Sequence, residues 1–304
     1  MKRIFISSVV AIILALASVS QVAFAADAQQ VAPATPDESI TLSPVSTRFA
    51  IDAGQQRAGE MTIVNDGKSD YDFIVYARPY WVANDSYDPV FTKGSKQSDA
   101  YQWVRLPQTK FHAKSGETVK VPYTIDVPAT AAPGGHYGVI FAETQPSNTG
   151  EQGNSVERKK RVGMIIYASV NGQTINKGEI VGNQVQFWQT QPPMKATATA
   201  RNEGNVDFVD KVTFAVKDMF GNPKYVITKE YPVLPQTTRS IGLEWPQSPW
   251  FGLFKVEIQQ QFLDKELTST HYVLMMPRLL PVLLIALLVI GGGVALLHRK
   301  KRKA

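Results

Sequence analysis

Between Ser39 and Met276 the chain runs in short segments with apolar residues at every second position, divided by clusters of Gly, Pro, Asn and Asp. No window there shows the three-to-four spacing of an amphipathic helix. Period two marks a strand with one buried face, and short strands at regular spacing point to β-sandwiches. The clearest run is Val119, Val121, Tyr123, Ile125 and Val127, with Lys120, Thr124 and Asp126 opposite. Pro122 on the polar face cannot donate to a ladder, which predicts an edge or a bulge. The chain has no cysteine. Disulfides, thiolate metal sites and a cysteine nucleophile are therefore excluded, and packing alone must hold the core.

Two domains are expected. The first, residues 39–171, has strands predicted near 40–51, 59–65, 71–82, 101–113, 117–127, 136–144 and 162–170. The polar stretch 145–160 is expected as its last hairpin loop. The second, residues 172–276, has strands predicted near 179–188, 194–201, 208–217, 225–233, 238–245, 253–262 and 267–275. An internal echo relates them. Asn65-Asp66-Gly67-Lys68-Ser69-Asp70-Tyr71 and Asn202-Glu203-Gly204-Asn205-Val206-Asp207-Phe208 both read N-[DE]-G-x-x-D-aromatic between strands. Gly and Asn tolerate positive φ, and Asp closes side-chain turns. A repeated acidic turn could also hold calcium, but Gly- and Asp-rich hairpin turns are commoner.

The two ends read differently. Lys2 and Arg3, an apolar stretch and Ala23-Phe24-Ala25 have the layout of a secretory signal peptide over residues 1–25. Residues 26–38 are small, polar and proline-bearing, and are expected as a disordered lead-in. Residues 279–297 carry no charge, a length that predicts one C-terminal transmembrane helix. Residues 298–304 form a basic tail, with Arg299, Lys300, Lys301, Arg302 and Lys303 as topogenic charges. The expected placement is a single-pass cell-membrane protein, N-terminus outside and C-terminus cytoplasmic. The net charge of +6 is accounted for by these ends. The +2 of the signal peptide and the +5 of the tail leave the remainder at −1. No field for phosphates is implied, and nucleic acid is not an expected partner.

No nucleophile elbow, zinc-protease helix or P-loop is present, and the histidines are scattered. No catalytic residue, metal site or cofactor is expected, so the chain reads as a non-enzyme. Leu106-Pro107-Gln108-Thr109 and Leu234-Pro235-Gln236-Thr237 approach a sortase signal but lack its glycine, and read as strand-end prolines. The aromatic residues Tyr80, Trp81, Tyr87, Trp103 and Trp250 are candidates for a binding surface, because Trp and Tyr bury large area at low entropy cost. They are also ordinary sandwich-core residues.

The order of parts resembles the bacterial WxL-interacting surface family, whose members carry a WxL protein peptidoglycan-binding domain. The likeness is carried by residues 40–146, notably the opening strand, the strand ending at Asn65, and the Pro133-Gly134-Gly135-His136-Tyr137 hairpin. The resemblance implies two tandem immunoglobulin-like sandwiches followed by a membrane helix. It also implies binding of cell-wall polymer through the first domain and of surface proteins through the second. The expected function is a membrane-anchored extracytoplasmic binding or scaffold protein of the bacterial cell surface. The alternative is a pilus-chaperone-like protein, in which the apolar strand 163–170 is donated to a partner's open sheet.

Overall fold

The computed structural model describes residues 39–83, 85–92, 94–145, 159–281, 285–286 and 289–293. The expected signal peptide (1–25), the expected lead-in (26–38), residues 146–158 of the polar loop and the basic residues 298–304 lie outside the described residues. The first sandwich comprises β1 (Ile40–Ser43), β2 (Ser46–Ile51), β3 (Gln56–Asn65), β4 (Tyr71–Pro79), β5 (Trp81–Val82) and β6 (Pro89–Val90). A 3-10 turn (Ala100–Trp103), β7 (Val104–Arg105), β8 (Lys110–Ala113), β9 (Thr118–Asp126), β10 (Gly134–Thr144) and β11 (Arg161–Val170) complete it. The second comprises β12 (Gly178–Gln184), β13 (Trp188–Gln189), β14 (Met194–Asn202), β15 (Phe208–Asp218), β16 (Pro223–Val233), β17 (Thr237–Trp245), β18 (Gly252–Phe262) and β19 (Lys265–Met275).

Each sandwich packs two sheets. The first pairs a sheet of order β1-β3-β9-β7 with one of order β2-β11-β10-β4-β8; the second pairs β12-β14-β17 with β13-β19-β18-β15-β16. The chain is therefore all-β, with two immunoglobulin-like sandwiches. Alternate residues of facing strands fill each core. Met61, Ile63, Phe73, Ile125, Ile140, Met164 and Ile166 occupy the first, and Met194, Phe214, Val256, Ile258 and Met275 the second. Burying one such side chain contributes about 1.5–3 kcal/mol.

Prolines account for two departures from simple strands. The predicted strand 40–51 divides at Pro44-Val45, and its halves join different sheets. β1 pairs with β3, whereas β2 runs parallel to β11. Pro122 sits in β9, opposite Glu60 of β3. On its other flank β7 reaches only Ile125 and Thr124, so no ladder donor is needed there.

At the C-terminus, helical residues are described only at 279–281, 285–286 and 289–293. The rest of 279–297 lies outside the described residues. Among the described residues no helix is long and apolar enough to cross a membrane. The expected transmembrane helix at 279–297, and the single-pass placement built on it, are corrected accordingly.

Candidate functional site

The last strand of the first sandwich has one edge half covered. β11 pairs with β10 along its whole length, from Glu143 opposite Arg161 to Gly134 opposite Val170. On its other side β2 covers only Ile165 to Val170. The Ile165 N–H donates to the Val45 carbonyl at 3.0 Å. Donors and acceptors alternate sides along a strand. Gly163 and Arg161 therefore point their N–H and C=O the same way as Ile165, beyond the start of β2. The split of the first strand at Pro44-Val45 is what leaves this edge open. Gly163 is required by packing, because a Cβ there would overlap the Phe141 ring. The Arg161 guanidinium lies 4.4 Å from that ring's centroid and 5.6 Å from that of Phe91. The Tyr76 hydroxyl donates to Glu143 at 2.5 Å. The outer face beside the edge is thus closed by aromatic rings and a cation, while among the described residues no strand pairs with the backbone edge from Arg161 to Met164.

The base of the same sheet carries the joint to the second sandwich. Here the repeated turn supplies the contacts. The Gly135 N–H and the Gln97 side-chain amide both donate to the Asn205 carbonyl, at 2.7 and 3.0 Å. Tyr137 donates its hydroxyl to Asp207 Oδ1 at 3.0 Å and accepts the Asp207 N–H at 3.1 Å. Arg48 of β2 forms an ion pair with the other Asp207 oxygen. Burial pushes the Tyr137 phenol far above its usual range, so it stays a neutral donor. Tyr167 packs edge to face with both Tyr80 and Tyr137, and Leu234 of the second sandwich joins them in one buried cluster.

Tyr87 completes the joint. Its φ of 65° is left-handed, which costs a non-glycine residue energy. Two hydrogen bonds to the second sandwich offset that cost. The Leu234 N–H donates to the Tyr87 hydroxyl at 2.6 Å, and Thr237 Oγ1 lies 2.5 Å from it. The Leu-Pro-Gln-Thr segment at 234–237 thus serves the joint. A cavity of about 520 Å³ opens beside it, lined in part by Trp81, Gln97 and Gln236.

His136 braces the first-sandwich side. Nδ1 lies 2.7 Å from Asp99 Oδ1, Nε2 lies 2.8 Å from the Ala132 carbonyl, and the ring packs 4.6 Å from Trp103. Burial opposes its charge, but the Asp99 and Ala132 acceptors outweigh that, and its pKa is raised.

The five aromatic candidates do not share a surface. Trp103 is in the first core, Tyr80 and Tyr87 are buried in the joint, Trp81 is half-buried, and Trp250 is exposed at the far end of the second sandwich. The residues that sequence reasoning missed are Arg48, Tyr137, Asn205 and Asp207. The repeated turn contains Asn205 and Asp207, but the repeat does not say which copy meets a neighbour, and nothing local marks Arg48 or Tyr137. No group of three or more His, Cys, Asp or Glu positioned to hold a metal occurs among the described residues.

No family model matches the sequence, and no curated protein matches it. Similar solved structures include the class 5 fimbriae chaperone CfaA, at 11% identity and TM-score 0.38, covering 78% of this chain and 99% of that one. The E. coli chaperone DraB is 10% identical with TM-score 0.36, covering 76% of this chain and 98% of that one. The CsuC-CsuE chaperone-tip subunit complex of Acinetobacter baumannii gives 11% and 0.36, covering 77% and 98%. These findings correct the resemblance to the WxL-interacting family. No family model or curated protein supports that family, and the similar solved structures include chaperones of fimbriae and pili. At such identities and scores they transfer no role to this chain.

Proposed function

We propose that the chain is a non-enzymatic, pilus-chaperone-like protein that lends the open edge of β11 to an extended strand of a surface-protein partner. The observation that carries this is the half-covered edge itself. β2 starts opposite Ile165, so among the described residues no strand pairs with the outward backbone groups of Arg161 and Gly163, which continue a strand paired to β10 along its length. Open edges of this kind are templates for strand addition, and main-chain hydrogen bonds then supply the affinity. The partner would extend the sheet alongside residues 161–164, with alternate apolar side chains meeting the rim of the first core at Val162 and Met164.

Ile166 cannot probe this role, because it is fully buried in the core. Arg161→Pro is the better probe. It removes an outward N–H while leaving the β10 ladder intact, and Arg161→Ala controls for the lost ring contact. In a crosslinking pull-down from the native cell envelope, the proline variant is expected to lose the captured surface protein and the alanine variant to keep it. Equal capture by both variants contradicts strand lending at this edge.

A further inference from the structure

Three segments of the second sandwich bring large apolar side chains to one end of its larger sheet. Trp188 pairs with Leu274, Gly252 pairs with Met275, and Asp218 pairs with Phe254. The Phe187-Trp188 pair, the Met219-Phe220 turn and the Trp250-Phe251 loop therefore lie at the same end. All six side chains are exposed, Phe220 at 91%, Phe251 at 63% and Trp250 at 60%. Monomeric proteins rarely leave apolar groups clustered in this way without a use for them.

The tips are held outward by built structure. Asp218 Oδ1 accepts the N–H groups of Phe220 and Asn222, each at 2.9 Å, which fixes the turn that projects Phe220. The Trp188 ring N–H donates to the Met276 carbonyl at 2.8 Å, which fixes the indole against the departing chain. Arg278, next to the departing chain, is exposed, and Lys224 is held by Asp218 at 3.1 Å.

The chain itself indicates what covers this end. It leaves the sandwich here through Met276, Pro277 and Arg278, and the sequence then runs from 279 to 297 without a charge before five consecutive Lys and Arg residues. Uncharged aromatic tips on a chain that continues through Arg278 to a run of Lys and Arg suit the headgroup boundary of a bilayer, where Trp is favoured and Lys and Arg meet anionic lipid. We infer that this end of the second sandwich lies on a lipid surface, with Phe220, Trp250 and Phe251 dipping into the headgroup boundary. The inference concerns the tips, requires no crossing helix, and stands apart from strand lending at β11.

The chain lacks cysteine, so Phe220→Cys in the full-length protein takes a single environment-sensitive fluorophore. Lys68→Cys, in the turn at the opposite end of the first sandwich, is the control. With phosphatidylcholine–phosphatidylglycerol vesicles, emission at position 220 is expected to rise and shift to the blue, with no change at 68. Adding Trp250→Asp and Phe251→Asp to the Phe220→Cys chain is expected to abolish that shift even while the chain still sediments with the vesicles. Equal responses at 220 and 68 would overturn the inference. So would a shift at 220 that follows protein concentration without lipid, which would put a second copy of the chain on these tips.

Discussion

Asn65 in the first sandwich and Asn202 in the second hold their turns with the same three hydrogen bonds. Each side-chain amide donates to the carbonyl four residues on, Ser69 or Val206, and to a carbonyl of a neighbouring strand, Ala113 or Val233. Each side-chain oxygen accepts the N–H two residues on, from Gly67 or Gly204. The aspartates that follow diverge. Asp70 turns inward on its own domain and accepts the Ser115 N–H at 2.8 Å. Asp207 reaches out to Arg48 and Tyr137 of the other sandwich. The turn is thus a self-sufficient fold element, and its aspartate is free to be spent locally or across a joint. Three residues beyond these aspartates the cores diverge as well. Phe73 is fully buried in the first, and Asp210 occupies the matching position, equally buried, in the second.

The largest effect expected from this comparison is shared. Asn65→Ala or Asn202→Ala leaves buried backbone groups without partners, at a cost of roughly 3–4 kcal/mol to the domain that holds it. Denaturant unfolding should give similar losses for the two variants. A loss confined to one would show that the turns are alike in sequence only.

Asp210 separates the cores next. Burial raises its pKa to about 6, against the hydrogen bond from Gln260 at 2.9 Å. Asp210 Oδ1 has no hydrogen-bond partner among the described residues. A folded-state pKa above the unfolded one means that the folded state holds the proton more tightly. The stability from that proton is complete below the unfolded value near 3.8 and is lost as pH rises through about 6. The second sandwich should therefore be less stable at pH 8 than at pH 4 by roughly 2 kcal/mol on this account. Asp210→Asn should flatten that dependence in thermal melts taken across pH, and an unchanged slope would remove Asp210 as its source. The raised pKa of His136 acts in the same direction on the first sandwich, whose stabilisation by the imidazolium fades as pH rises through that raised value.

The aspartates of the turns give the smallest and most discriminating pair. Asp207→Ala leaves Arg48 and Tyr137 without their partner and should cost roughly 2 kcal/mol, with the two sandwiches unfolding in more separate steps by calorimetry. Asp70→Ala, at an exposed site, should cost less than about 1 kcal/mol and leave the coupling unchanged. Equal effects would mean that Asp207 does not join the domains.

Much of this fold was legible in the sequence because period two and turn residues are local signals. Val119 to Val127, and the glycine and asparagine of the repeated turn, encode their own geometry. The joint was not legible, because Arg48 and Asp207 are 159 residues apart and neither is unusual in its local setting. The aromatic candidates spread over core, joint and surface because Tyr and Trp serve all three equally well; only burial separates Trp103 from Trp250. The open edge was half visible. The apolar strand 163–170 stood out, but its exposure depends on where β2 begins, and that depends on Pro44-Val45 dividing the first strand.

The open edge is tested most directly by amide hydrogen exchange along β11 in the free chain. The register puts the Val162 and Met164 N–H groups into the β10 ladder and turns those of Arg161 and Gly163 outward. The account predicts slow exchange at Val162 and Met164, fast exchange at Arg161 and Gly163, and protection of the outward pair when a partner strand is added. Uniform protection from Arg161 to Met164 in the free chain would contradict it, because the edge would then already be filled.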